Sequence, residues 1–185
     1  MKDLYRNANG TWLYHRSSYI MNDIFNTVQR ALLMFELEKA ESWQILSYES
    51  GGHYAPHFDY LEPHLFQETI TESGNRLATM LLILQTAKRG GSTIFPNLKL
   101  NIKPTVGDVI LWHNMKADYS QEYDSFHAAC PIWDGKKIGA SIWIRTIGQE
   151  IRSKCSKSRK GFLTDRYFNP YFNPDDIPLF TGYPD

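Results

Sequence analysis

One residue separates His57 from Asp59 in Tyr54-Ala-Pro-His-Phe-Asp-Tyr60, and His127 follows 68 residues after Asp59 in Phe126-His-Ala-Ala-Cys130. A His-x-Asp pair suits a β-strand. Strand side chains alternate with period 2, so His57 and Asp59 are expected on one face and Phe58 on the other. Nothing local can bring His127 to them; only the tertiary fold can. Two imidazoles and one carboxylate form a 2-His-1-carboxylate set, which holds non-haem Fe(II) and leaves coordination positions open. The pattern alone is weak. The chain has histidines at 15, 53, 57, 64, 113 and 127, and His-x-Asp followed by some later His arises often by chance.

The rest of the chain reads as short strands separated by turns after one helical segment. Asn9-Gly10 is a turn signal between short aromatic stretches within Leu4 to Tyr14. Asn22 or Asp23 is expected to cap a helix running through Ile24, Val28, Leu32 and Phe35, whose near-helical spacing marks a face packed on a sheet. Trp43 to Tyr48, Leu77 to Thr86, Leu98 to Lys103 and Val109 to Trp112 read as strands, and Gly51-Gly52, Gly90-Gly91 and Val106-Gly-Asp108 as breaks. Ala128 to Trp133 and Ile138 to Ile147 read as two strands joined by a tight turn at Gly135-Lys136. Pro63 to Ser73 is polar and reads as a loop near a catalytic mouth. Regular short strands of this kind suggest a β-sandwich or barrel.

At 185 residues the chain has room for one domain, or one domain with a tail, and can bury a sizeable core. Twenty basic and twenty acidic residues cancel, which removes the electrostatic case for nucleic acid or an anionic membrane. The basic run Lys154 to Lys160 reads as a solvated segment. No apolar run is long enough for a transmembrane helix. No signal peptide is visible at Met1, which suggests a piece of a longer chain. Asn9-Gly-Thr11 is a glycosylation sequon compatible with a secretory route, though three-residue matches are common. Cys130 and Cys155 are the only cysteines and can be a bridge or two thiols. Gly161 to Asp185 carries the tandem Tyr167-Phe-Asn-Pro-Tyr-Phe-Asn-Pro174, either a docked extended arm or a disordered tail.

Several motifs in order change the weight of the histidine pattern. Tyr48-Glu-Ser-Gly-Gly-His-Tyr-Ala-Pro-His-Phe-Asp59 resembles the iron-binding strand of prolyl 4-hydroxylases, especially the collagen-type α subunit. Similar in the same family are Gly74-Asn-Arg-Leu-Ala-Thr79 with the apolar run to Leu84, Gly90-Gly-Ser-Thr-Ile-Phe-Pro96, and Tyr119-Ser120 ahead of His127-Ala-Ala-Cys-Pro131. Gly135-Lys-Lys137 leading to Trp143 and Gly148-Gln-Glu-Ile-Arg152 completes the resemblance, which runs from about Tyr19 to Cys155.

The resemblance implies a mainly β fold with N-terminal helices, a double-stranded β-helix or jelly-roll barrel of cupin-like form. It implies a catalytic domain over 1–155, with 1–42 as strand and helical support, 43–150 as the jelly-roll core and 156–185 as a tail rich in proline and aromatics. His57, Asp59 and His127 match the iron ligands. Lys137, ten residues after His127, matches the lysine that pairs with the distal carboxylate of 2-oxoglutarate, with Lys136 as its competitor. A fixed cation suits a dianion in a barrel of low dielectric. Thr93 matches a threonine bonding the same carboxylate, and Tyr48 a tyrosine of the cosubstrate pocket. Arg76 and Trp143 match positions near the peptide-binding mouth, where an aromatic face suits proline; Tyr54 is a further candidate for substrate contact. The same resemblance implies a Cys130–Cys155 disulfide, and a bridge argues for the endoplasmic reticulum lumen.

The activity implied is dioxygenation of a collagen-like or proline-rich peptide: O2 and 2-oxoglutarate are consumed, succinate and CO2 released, and peptidyl proline becomes 4-hydroxyproline, with ascorbate restoring oxidised iron. Protein disulfide isomerase is an implied partner. Two other readings stay open: the same chemistry on a non-collagen protein, and a non-catalytic barrel serving as an assembly or binding module.

Overall fold

A computed structural model describes residues 5–32, 35–116 and 118–149. Cys155, the basic run and the Tyr-Phe-Asn-Pro repeat lie outside the described residues, as does Glu150 to Arg152 of the last family motif.

The strands are β1 (Arg6–Asn7), β2 (Asn9–Leu13), β3 (Trp43–Tyr48), β4 (His53–His57), β5 (Arg76–Gln85), β6 (Arg89–Gly90), β7 (Thr93–Phe95), β8 (Leu100–Ile102), β9 (Val109–His113), β10 (His127–Ala129), β11 (Ile132–Asp134) and β12 (Lys137–Arg145). They form two antiparallel five-stranded sheets, ordered β2-β3-β12-β5-β9 and β1-β4-β10-β7-β8, with β6 and β11 paired separately. The helices are α1 (Tyr19–Ala31) and α2 (Pro63–Ser73). This is the expected mainly β, double-stranded β-helix architecture, with one N-terminal α-helix and a second helix inserted after β4.

Period-2 alternation positions the site. Along β12, Ala140, Ile142 and Ile144 join the main core with Phe25 and Val28 of α1, Trp43 of β3, and Ala78 and Met80 of β5. The alternate residues Lys137, Gly139, Ser141 and Trp143 line a cavity on the other face, together with Gln44, Leu46 and Tyr48 of β3 and Thr79 and Leu81 of β5. One face of the large sheet therefore carries the helix layer, and the other faces the small sheet and the chemistry.

Several expectations are corrected. Asn9-Gly10 is not a turn but the start of β2, paired with Ser47 and Leu46. A Cβ on Gly10 would come within 2.9 Å of Leu46 Cδ2, so glycine serves close strand packing. The cap of α1 is Ser18, neither Asn22 nor Asp23. Its backbone is extended and its hydroxyl accepts from Met21 N at 3.2 Å, while Asn22 N already donates to Ser18 O inside the first turn. Pro63 to Ser73 is helical, with Pro63 preset in its first turn and Gly74, at φ 76°, closing it through a bond to Ile70 O. Its polarity misleads because no residue of α2 is buried. The 98–103 strand is shorter: Pro96–Leu98 is a 3-10 turn, Lys99 is left-handed at φ 53°, and only Leu100–Ile102 pairs. The final strand ends at Arg145 rather than Ile147, and 128–133 divides into β10 and β11.

Candidate active site

The small sheet delivers two of the three suspected ligands side by side, because His127 on β10 is the cross-strand partner of His57 on β4. Asp59 lies two residues beyond the end of β4, so it does not share a strand face with His57 as expected. Its side chain nevertheless reaches both imidazoles: His57 Nε2 is 3.6 Å from Oδ1, and His127 Nε2 is 3.6 Å from Oδ2. One donor atom from each residue lies within 4.8 Å of the others, a spacing that could hold a metal ion. Phe58 points away, against Phe126 with ring centroids 4.8 Å apart.

The chain orients these donors with partners that sequence alone did not reveal. His57 Nδ1 is 2.8 Å from Ala55 O, and His127 Nδ1 is 2.8 Å from Ser125 O. A carbonyl only accepts, so each Nδ1 carries the proton and each Nε2 keeps its lone pair for the cluster. Asp59 Oδ2 accepts from Thr79 Oγ1 at 2.7 Å, and that oxygen accepts from Asn114 Nδ2 at 2.8 Å. Thr79 carried one legible signal, a polar residue inside the apolar 77–86 run; Asn114 carried none.

Burial opposes the charge on Asp59, but the His57 and His127 rings beside it and the Arg76 guanidinium outweigh that penalty, holding the carboxyl well below its usual range. Burial lowers the pKa of His127, which favours the neutral, ligating imidazole near pH 7. An anionic carboxylate and lone pairs converging at one point, without their own protons between them, fit a divalent cation of the Fe(II) type.

Lys137 stands at the inner end of the same face, opposite Tyr48 in the β12–β3 register. It is 3 % exposed, and Nζ donates to Gly91 O at 2.7 Å and to Thr93 Oγ1 at 3.2 Å. No carboxylate pairs with it among the described residues. Burial pulls its pKa down to about 8. An unpaired buried ammonium is costly, so this arrangement suits an anion arriving from outside. Gly91 makes the bond possible: it adopts φ 74°, and a Cβ there would lie 2.6 Å from Ile132 Cδ1. Lys136, the competitor, pairs at the surface with Glu49 at 3.0 Å. Tyr48 is buried, which raises its hydroxyl pKa above the usual range.

His57, Asp59, His127, Lys137, Thr93, Tyr48, Tyr54 and Trp143 all line one cleft of about 530 Å³, its mouth included. Tyr54 stacks on His57 at 3.8 Å and 19°. Trp112, which sequence reasoning missed, lines the cleft and lies 4.7 Å from the His127 ring. Arg76 is not a wall residue. Its guanidinium sits 3.8 Å over Trp143 and pairs with both Glu41 oxygens at 2.7 and 2.8 Å. Cys130 is a free thiol among the described residues; its expected partner Cys155 lies outside them.

A jelly roll with a His-Asp-His donor cluster inside it defines a class, the non-haem metal oxygenases. Comparison with known proteins narrows it. Residues 43–145 match the family model described as 2OG-Fe(II) oxygenase superfamily. The chain is 34% identical over 157 residues to human prolyl 4-hydroxylase subunit alpha-1, covering 83% of this chain and 29% of that protein. The Caenorhabditis elegans subunit alpha-1 is 34% identical over 175 residues, covering 90% of this chain and 30% of that protein. The chain thus spans under a third of the length of these relatives. Among solved structures, a viral collagen prolyl hydroxylase from Paramecium Bursaria Chlorella virus-1, described as a 2OG complex, superposes with TM-score 0.59 at 25% identity over 76% of this chain and 79% of that one.

The chain belongs to the 2OG-Fe(II) oxygenase superfamily. Fe(II), 2-oxoglutarate and O2 are the family's reagents, and the donor cluster and Lys137 fit the first two.

Proposed function

We propose that this chain is a peptidyl-proline 4-hydroxylase catalytic domain, with collagen-like or other proline-rich peptides as substrates. The observation that carries the reading is the joint presence, in one cleft, of the His57–Asp59–His127 cluster and of Lys137, which has no carboxylate partner among the described residues, beneath aromatic walls at Tyr54 and Trp143. The prolyl hydroxylases it resembles supply the substrate class.

In this reading His57, Asp59 and His127 are the iron ligands, with Nε2 of each imidazole and one Asp59 oxygen as donors. Lys137 and Thr93 receive the distal carboxylate of 2-oxoglutarate, and Tyr48 closes that pocket. Iron with 2-oxoglutarate, when bound, supplies the O2-dependent oxidation of a C–H bond to C–OH, with succinate and CO2 released. The protein's own work is orientation. The carbonyls of Ala55 and Ser125 fix the imidazole tautomers, and the Asn114–Thr79 chain holds the Asp59 carboxylate. Tyr54 and Trp143 give a proline ring apolar faces and help keep water from the reacting carbon.

Residues 1–155 form the catalytic unit in this account, and 156–185 an appended tail. Ascorbate as reductant, a Cys130–Cys155 bridge, residence in the endoplasmic reticulum lumen and pairing with protein disulfide isomerase belong to the same proposal, supported by the resemblance to collagen-type α subunits. The test is 2-oxoglutarate turnover with Fe(II) and ascorbate in the presence of proline peptides. Peptide-independent succinate would keep the oxygenase and discard the substrate, and a folded protein that binds no iron would favour an assembly module.

A further inference from the structure

Among the described residues, the outer end of the cleft carries an excess of positive charge that the proline reading does not use. Along β12 the cavity face continues past Trp143 to Arg145. A register slip in the β12–β5 pairing sets Arg145 opposite Arg76, whereas Ile144 pairs with Ala78. Without the slip Leu77 would face Arg145. Like charges opposite one another on a sheet are unfavourable. Among the described residues Glu41 is the carboxylate between them, taking both Arg76 bonds and standing 3.5 Å from Arg145 Nε. Two guanidiniums thus share one carboxylate. Arg145 is 5 % exposed, and its Nε and Nη1 make no hydrogen bond.

Beside this cluster the aromatic surface also extends outward. Trp12 on edge strand β2 pairs with Gln44, a cavity-lining residue, so it faces the same side. Its ring lies 5.8 Å from Trp143 and is half exposed. Arg76 stacks on Trp143 and is close enough to lower the Asp59 carboxyl. The shelf Trp12–Trp143–Arg76 therefore adjoins the cleft of the donor cluster, which Trp143 lines, and Arg145 lies behind it, sharing Glu41 with Arg76.

We infer that this shelf selects a carboxylate-bearing residue flanking the target proline, so that the preferred substrates are acidic proline peptides rather than neutral repeats. The inference deepens, and rests on, the proline-peptide reading above. Arg76, the less buried of the two guanidiniums, lies over Trp143, the tryptophans pack the flanking apolar surface, and Arg145 adds the charge that Glu41 leaves unbalanced among the described residues.

The chain's own segment 171–176, Tyr-Phe-Asn-Pro-Asp-Asp, offers a probe of the right composition. The experiment compares that peptide with its Asn-Asn counterpart and with a Pro-Pro-Gly repeat, in the intact chain. Hydroxylation is read as kcat/KM, and anaerobic binding as tryptophan fluorescence. A charge-assisted contact predicts roughly tenfold preference for the acidic peptide. Arg145→Met should remove most of that preference, and Glu41→Gln, which frees both guanidiniums, should increase it. The opposite responses separate a charge effect from simple loss of packing. Equal kcat/KM and equal binding for acidic and amide peptides would overturn the inference while leaving the prolyl hydroxylase reading intact. Preferential binding of the acidic peptide with no oxidation of any proline would keep the shelf and overturn that reading instead.

Discussion

Thr79 Oγ1 donates to Asp59 Oδ2 at 2.7 Å while accepting from Asn114 Nδ2 at 2.8 Å. The threonine has one hydroxyl proton, and the Asn114 donor fixes which way it points. Both residues are buried, so neither bond competes with water. The chain thereby holds a carboxylate with one oxygen directed and the other free to turn toward a cation. Thr79→Val removes the donor at nearly constant volume. We expect metal affinity to fall by about 10–100-fold with little loss of fold, a typical cost for an outer hydrogen-bond partner of a metal ligand. Isothermal titration with Fe(II) or Mn(II) under anaerobic conditions measures it; unchanged affinity would deny Thr79 that role.

Lys137 gives two pH dependences of opposite sign. Its folded pKa, about 8, lies below the ordinary 10.5 because burial penalises the ammonium. Between those values the unfolded chain holds the proton and the folded chain does not, so the contribution of this group to stability rises with pH from about 8 upward. Below that window the ligand-free protein bears the cost of a buried charge, and Lys137→Met is expected to raise thermal stability near pH 7. Cosubstrate binding runs the other way. A dianion needs the ammonium, so 2-oxoglutarate affinity should weaken by up to about tenfold per pH unit above the folded pKa. Calorimetric titration of 2-oxoglutarate across pH 7 to 9.5, roughly spanning that pKa, reads the effect. A flat profile in the native chain would contradict the assignment of Lys137 to the distal carboxylate, and in Lys137→Met the profile should be flat and the affinity low.

His127→Ala and Asp59→Asn test the donor cluster itself. Each removes or neutralises one donor, and each should abolish iron-dependent succinate formation. Near-ultraviolet circular dichroism checks that the fold survives. The Asp59→Asn protein is expected to remain folded, since the amide keeps the side-chain volume and an oxygen that can accept from Thr79 Oγ1. Retained turnover in either variant would remove that residue from the site.

Trp43 tests the division of labour between the faces of the large sheet. It is fully buried among Phe25, Ala78 and Ile142, on the face opposite the cleft. Trp43→Ala should cost about 3–5 kcal/mol of stability, read as a shift of the urea midpoint. Activity per folded molecule should hold below the melting transition. A selective loss of activity at full foldedness would mean that the helix-side core tunes the cleft.

How much of this was legible in the sequence follows from range. Trp43 to Tyr48 was read to the residue, because its alternation and the glycine break are local signals. The three donors were found by residue type, spacing and family resemblance. Their relation was only half seen: Asp59 lies past the end of β4, because a strand pattern does not reveal where pairing stops. Pro63 to Ser73 was missed as a helix, since hydrophobic periodicity registers burial and α2 has no buried residue. Asn9-Gly10 carried a turn signal that tertiary pairing with β3 overrode. The carbonyls of Ala55 and Ser125, which fix the histidine tautomers, have no side-chain signature at all. Glu41 and Arg145 became meaningful only through a register slip.

The most direct test of the central claim is succinate formation from 2-oxoglutarate by the purified chain with Fe(II) and ascorbate, with and without a proline peptide, followed by mass analysis of that peptide. The account predicts peptide-dependent succinate and a gain of one oxygen on proline, lost together in His127→Ala. Iron bound at the cluster, with a proline peptide present and neither succinate nor oxidised proline formed, would contradict it.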